Sequence, residues 1–187
     1  LLDKKSDIQD LPDAVSLEEI TGKGVFDRVH FRYREDDDLD PEHQNVLHDI
    51  SFTIQPGQAV ALVGPSGAGK TSIANLLCRF YDPDSGRVLV DGHDLRDVKV
   101  QSLRQHVAIV LQDTFLFNTT VRDNLRYGNP EASEQDMVEA AKAAFAHDFI
   151  LELPDDYETE IGERGVRLSG GQKQRLALAR AILADPR

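Results

Sequence analysis

Cysteine occurs once in 187 residues, as Cys78. A single thiol excludes an internal disulfide and suits a reducing compartment. It lies beside Leu76 and Leu77 in a helix-like stretch, so packing is its expected role. Basic residues are scarce as well: 21 Lys and Arg against 33 Asp and Glu leave a net charge of −12. That balance argues against nucleic acid or an anionic membrane surface as the main partner. The excess is front-loaded, because residues 1–42 carry 13 acids and 6 bases (−7) and the remaining 145 carry 20 and 15 (−5). No run approaches the ~18 apolar residues that cross a bilayer. There is no internal repeat, no heptad array and no Asn-Lys-x-Asp guanine motif. The six histidines (His30, His43, His48, His93, His106, His147) lack metal-site spacing and read as surface or strand residues.

What is present is Gly64-Pro65-Ser66-Gly67-Ala68-Gly69-Lys70-Thr71, a match to G-x-x-x-x-G-K-[ST]. It follows the apolar run Ala59–Val63, expected as a strand, and leads into a helix-like segment, Thr71–Phe80. Glycines at 64, 67 and 69 let the backbone curl around an anion, and successive N–H groups then form a nest. The helix that follows adds the positive end of its dipole. Lys70 is placed to reach β- and γ-phosphate oxygens, and the Thr71 hydroxyl to ligate Mg²⁺. The alternative, a chance glycine-rich turn, does not require a strand before it and a helix after it.

The chain length suits one domain, and 40% apolar residues are enough for a core. Residues 1–20 read as a polar linker. Val25–Arg34 alternates as a strand, through Val25, Val29, Phe31 and Tyr33. Glu35–Glu42, six acids in eight residues, reads as a solvated loop rather than a metal site, since no calcium-loop spacing accompanies it. Val46–Ile54 is a second strand, with Pro56-Gly57 turning toward Ala59. Beyond the turn Asp82–Gly86 come a short strand, Arg87–Val90, a helix, Val100–Gln105, and a strand, His106–Leu111. Gln112 ends that strand, and Asp113–Thr119 is a loop. Ser133 with Asp136 forms a capping box for a helix through about Ala146. A shorter helix near Asp148–Leu153 and a turn at Pro154–Asp156 follow. The last helix, Gly170–Leu183, sets Leu176, Ala179 and Leu183 on one face and spreads Lys173, Arg175 and Arg180 into solvent.

Leu168-Ser169-Gly170-Gly171-Gln172 opens that last helix. Ser169 is an N-cap, and two glycines leave the helix N-terminus bare. Physics alone reads this as either a second anion site or an ordinary capped helix. With both motifs in one chain, the sequence resembles the nucleotide-binding domain of an ATP-binding cassette (ABC) transporter. GPSGAGKT is similar to its Walker A motif and LSGGQ to its signature motif. The segments Leu116–Gly128 (LFNTTVRDNLRYG) and Gly162–Gly165 (GERG) resemble the exporter type.

The resemblance implies an α/β fold: a P-loop NTPase sheet with an N-terminal antiparallel β subdomain and a helical signature-motif subdomain at about 114–168. Residues 1–20 would be a linker from an upstream transmembrane domain, and 21–187 the nucleotide-binding domain. ATP and Mg²⁺ are the implied ligands. Tyr33 would stack on adenine, although a core strand aromatic is the alternative reading of that residue. Gly64 through Ser72 would hold the phosphates, with Lys70 and Gln112 catalytic. Gln112 would touch Mg²⁺ or the attacking water, sharing the metal with Thr71. Ser169, Gly170, Gly171 and Gln172 would close the ATP site of a second nucleotide-binding domain in a head-to-tail pair, and Glu163 and Arg164 would lie near the coupling helices. The expected setting is the cytoplasmic face of a membrane, with no nucleic-acid partner.

In the family, an apolar strand carrying the Walker B aspartate and a catalytic glutamate comes next, then a switch histidine; none occurs by Arg187. The chain is therefore expected to be part of a longer exporter and to hydrolyse little ATP alone. The other classes weighed are a soluble ABC-type ATPase acting on DNA or ribosomes, a non-hydrolysing nucleotide-binding module, and a GTPase or small-molecule kinase. Long coiled-coil or basic insertions would mark the first, and intact Lys70, Thr71 and Gln112 speak against the second.

Overall fold

The computed structural model describes residues 8–33, 46–162 and 168–186, which fall into two compact units divided after His106. The acidic run Glu35–Glu42 and the pair Glu163 and Arg164 lie outside the described residues.

The first unit carries a four-stranded antiparallel sheet in the order β2-β1-β3-β4: β1 Gly24–Phe31, β2 Leu47–Ile54, β3 Ser85–Val90 and β4 His93–Asp94. Parity explains its main irregularity. Phe26, Val29 and Phe31 are all buried, yet 26 and 29 differ by an odd number and cannot share a face of a regular strand. One extra residue is needed between them, and the register of β1 against both neighbours shifts there. Arg28 takes the left-handed conformation (φ 50°) at the bulge. Opposite it sits Gly86, where a Cβ would lie 2.2 Å from the Arg28 carbonyl oxygen. The antiparallel β subdomain expected from the sequence is thus present. Helices α1 (Lys70–Leu77) and α2 (Val100–Gln105) belong to the same unit, with Leu76, Leu95, Val98 and Leu103 buried. Cys78 is buried beside them, as expected of a packing residue.

Two expected strands are not found as such. Among the described residues, 59–63 and 106–111 enter no ladder, and Val60, Leu62, Val63, Ile109, Val110 and Leu111 are exposed. An apolar run specifies a buried strand only where a neighbour accepts its N–H and C=O groups.

Residues 9–23 are stitched to the first unit. Val15 bridges Val98 in parallel, through Val15 N–H to the Asp97 carbonyl (2.9 Å) and Lys99 N–H to the Val15 carbonyl (2.8 Å). Leu17 N–H donates to Ser102 Oγ, and His106 Nε2 pairs with the Leu17 carbonyl. The Asp91 carboxylate accepts from the amides of Thr21, Gly22 and Lys23 and from the Thr21 hydroxyl. Partial burial pushes its pKa up, but these donors more than offset that and hold it below the usual carboxylate range.

The second unit is helical: α3 Val121–Arg126, α4 Glu134–Ala143, α5 His147–Leu151 and α6 Gly170–Leu183. Its core joins Leu116, Val121, Leu125, Met137, Ile150, Ile161 and Leu176 with the alanines 140, 141 and 179. Ser133 and Asp136 form the expected capping box. The Ser133 hydroxyl and amide hold the Asp136 carboxyl below its ordinary value. His147, expected on the surface or in a strand, instead starts α5 and bonds the Tyr157 hydroxyl through Nδ1 at 2.9 Å. Burial pushes the Tyr157 pKa up to about 12.

Two of the α6 arginines are not solvated as expected. Arg180 donates to the carbonyls of Asn124 and Phe115 and to Asn124 Oδ1, and its guanidinium lies over the rings of Phe117 and Tyr127. Desolvation draws its pKa below the ordinary value. Arg175 donates to the Phe145 carbonyl and covers the Phe149 ring. Helical periodicity places a long cation on a face but does not say that its stem will be covered.

Helix α4 ends before Ala146 because Phe145 turns left-handed (φ 55°). Its amide bonds the Lys142 carbonyl and the Ala146 amide bonds the Ala141 carbonyl, the hydrogen bonds of a Schellman motif, which favours Gly or Asn. The Phe145 side chain is 79% exposed and gains little from burial. Phe145→Asn is expected to stabilise the protein by about 1 kcal/mol, raising Tm by about 2–4 °C in a thermal melt. An unchanged or lower Tm would contradict it.

Candidate functional site

The glycine loop is shaped by two left-handed residues, Gly67 (φ 82°) and Gly69 (φ 80°). Gly69 cannot be replaced cheaply, because a Cβ there would lie 2.5 Å from Leu47 Cδ2 and 3.1 Å from the Val46 carbonyl oxygen. The start of β2 therefore presses on the hinge between loop and helix. Residues 64–68 are exposed, Gly69 is buried and Lys70 is half-buried. Lys70 turns its ammonium back into the loop and donates to the carbonyls of Gly64 (2.8 Å) and Pro65 (2.6 Å).

Helix α1 starts at Lys70. No side chain caps it, and its first turn contains no acid. Its N-terminal amides and the positive dipole end are left without a side-chain counter-charge beside an ammonium, which is what phosphate oxygens require. Thr71 is exposed on the first turn; its hydroxyl oxygen is of the type that ligates Mg²⁺, while the Lys70 ammonium suits the phosphate oxygens themselves.

Ser72, named with the loop from sequence, is buried and serves another purpose. Its Oγ lies 3.0 Å from the Tyr33 hydroxyl, which also accepts from Asn75 Nδ2 at 3.4 Å. Tyr33 is thereby fixed against the helix that carries Lys70, with Phe31 and Tyr81 meeting its ring edge-on at 4.8 and 5.1 Å. The half-buried ring packs at the end of β1 and stays partly open beside α1.

An open cleft of about 600 Å³ elsewhere on the sheet is lined by Asp27, Arg28, His30, Asp49 and Arg87. Hydrogen bonds from Arg87 and Arg28 hold the Asp27 carboxyl below its usual range. With both guanidiniums committed to that carboxylate, the cleft offers an anion little.

In the second unit, Gln112 lies exposed just past Leu111. Ser169 caps α6 as expected. Its Oγ accepts from the Gln172 amide (3.3 Å) while Gln172 Oε1 accepts from the Ser169 amide (2.8 Å). Because that bond uses Ser169 Oγ as acceptor, its O–H remains a donor. Gly170 and Gly171 are exposed, and a Cβ on either would meet nothing within 4 Å. Steric packing does not demand glycine here. The Gln172 side chain serves the cap, so its part in ligand binding would be to position Ser169.

Residues that sequence reasoning missed include Asn124, fully buried and bonded to the Phe117 amide and carbonyl, the Thr120 carbonyl and Arg180. Asn75 and Arg79 are two more. Arg79 had one visible signal: a cation inside the apolar stretch Leu76–Phe80. Among the described residues no group of three or more His, Cys, Asp or Glu is placed to hold a metal, and no helix is long and apolar enough to cross a membrane.

The family model described as ABC transporter matches residues 47–187. ATP-binding cassette sub-family B member 6 of Mus musculus is 49% identical over 186 residues, covering 100% of this chain and 21% of that protein. The ATP-dependent lipid A-core flippase of Syntrophus aciditrophicus is 49% identical over 185 residues, covering 99% of this chain and 30% of that protein. Among solved structures, a bacterial Atm1-family ABC exporter with ATP bound superposes with a TM-score of 0.91 at 46% identity, covering 99% of this chain and 31% of the exporter. The chain thus spans under a third of the length of each of these relatives.

Proposed function

The chain belongs to the ABC transporter family, and from that premise we propose that it is the ATP-binding domain of an exporter, in which ATP binding and hydrolysis drive transport across a membrane. The observation that carries this reading is the uncapped N-terminus of α1 under an exposed glycine loop, with the Lys70 ammonium turned into that loop. The loop amides and Lys70 hold β- and γ-phosphate oxygens, and Tyr33 offers its ring to adenine. The Thr71 hydroxyl would hold Mg²⁺, which would supply positive charge to offset that of the phosphates, and the Gln112 side-chain oxygen is the other candidate ligand.

Ser169 and the bare amides of Gly170 and Gly171 close the site of a second nucleotide-binding domain in a head-to-tail pair, and they stabilise charge on the transferred phosphoryl group. Residues 1–20 connect the domain to a transmembrane domain, residues about 114–168 form the signature subdomain, and the assembly works at the cytoplasmic face of the membrane. Neither composition nor site chemistry favours nucleic acid.

The test uses the whole protein and Mg-ATP. Tyr33→Ala is expected to raise the ATP Kd about tenfold, as loss of one base–aromatic stack does. Tyr33→Phe keeps the ring, loses the contacts to Ser72 and Asn75, and is expected to bind ATP nearly as the wild type does. Equal weakening by both variants would make Tyr33 a helix anchor. No ATP binding by the wild type would overturn the function.

A further inference from the structure

Arg79 stands just past the C-terminal end of the helix that begins with Lys70. It closes α1 in a Schellman motif, with Phe80 N–H to the Asn75 carbonyl (2.9 Å) and Arg79 N–H to the Leu76 carbonyl (3.0 Å), and is left-handed at φ 49°. Glycine suits that conformation and arginine does not. Phe145 occupies the same position of the same motif with an exposed side chain, whereas Arg79 is 2% exposed and fully engaged. Its Nη1 donates to the Val98 carbonyl (2.7 Å), Nη2 to the Gln9 carbonyl (3.3 Å) and Nε to Asp82 Oδ1 (3.2 Å). Asp10 Oδ1 lies 3.9 Å from Nη1 and accepts from the amide of Val100, the first residue of α2.

One guanidinium therefore ties together the end of α1, the segment that enters the domain at residues 9–10, and the strap at Val98 on which Val15 pairs. Lys70 and Thr71 sit on the first turn of α1 and Arg79 follows its last turn, so a shift of this short helix at the loop is a shift at Arg79 as well.

We propose that Arg79 is a positioning residue that couples the glycine loop to residues 9–17, so that nucleotide at the loop tightens the hold of this segment on the domain. The proposal rests on the loop's being an ATP site and adds the element through which the incoming chain senses it. Lysine in place of Arg79 keeps the charge but loses the planar fork that reaches Val98, Gln9 and Asp82 together.

The test is hydrogen exchange of the backbone of residues 9–17 in the whole protein, with and without saturating Mg-ATP. In the wild type the amides of Val15 and Leu17 are expected to exchange about tenfold more slowly with Mg-ATP. In Arg79→Lys that slowing is expected to fall below about twofold while the ATP Kd changes by less than about threefold, a separation that a purely structural role does not produce. Asp10→Ala removes a half-exposed carboxylate, leaves Arg79 in place and is expected to reduce the slowing in the same direction; it carries the test if Arg79→Lys fails to fold. ATP binding without slowing at 9–17 in the wild type, or slowing retained in the variant, overturns the coupling and leaves the ATP site standing. Absence of ATP binding by the wild type overturns the site and the coupling together.

Discussion

Lys70→Ala is expected to lower ATP turnover by the whole protein about 10²–10³-fold, the scale on which one preorganised charge donor to a transferring group is lost. The ammonium is held by two loop carbonyls, Gly64 and Pro65, so its position is fixed before any phosphate arrives. Alanine is the best helix former and keeps α1, whose first residue is Lys70. Gly69 and its contacts with Leu47 and Val46 are untouched. Folding should therefore be preserved while the charge is gone. Lys70→Arg is expected to fail nearly as badly, since a planar fork does not fit where a compact ammonium sits between two carbonyl oxygens. Steady-state hydrolysis beside a thermal melt checks both. Turnover within a few-fold of the wild type in Lys70→Ala would remove the loop from the chemistry.

What the sequence shows of this fold follows the range of the interaction that decides each feature. Helix starts are local events, and the capping box at Ser133 and the N-cap at Ser169, together with the bounds of α2 and α6, stand where the residue pattern puts them. The bulge in β1 departs from the regular alternation through Val25, Val29, Phe31 and Tyr33 expected from the sequence: Phe26 rather than Val25 is buried, and its odd separation from Val29 requires an extra residue. The run 59–63 read as a strand on composition alone. A ladder also needs a neighbour in space, and none of the described segments supplies one.

The candidate site divides in the same way. The glycine loop and the capped glycines of α6 are contiguous motifs whose chemistry is legible residue by residue. The partners of Arg79 and Arg180 are not, because Gln9 lies 70 residues and Asn124 56 residues away and were brought there by the fold. Tyr33 lies between these cases. The sequence marks it as an aromatic at a strand end, but only the fold shows its hydroxyl tied to Ser72 and Asn75 on the helix below the loop.

Gly171→Asp separates the two readings that the signature segment allowed. A Cβ at 171 meets nothing within 4 Å, so the residue fits. A carboxylate in the first turn of α6, which now holds no acid, favours the helix by about 0.3–1 kcal/mol through its dipole. Stability should be unchanged or slightly raised in a thermal melt. If α6 were only a capped helix, nothing else would happen. If its bare N-terminus receives the γ-phosphate held by a second domain, the same carboxylate faces that phosphate. Two unit charges about 4 Å apart at an effective dielectric of about 20 repel by about 4 kcal/mol, close to a thousandfold in an equilibrium. ATP hydrolysis by the whole protein is then expected to fall by about 10²–10³-fold with no loss of fold, while Gly171→Ala, which fills space without charge, should retain more of it. Negative charge at this helix end is favourable for folding, so turnover lost in Gly171→Asp but retained in Gly171→Ala, with no loss of Tm in either, marks a ligand that brings negative charge of its own.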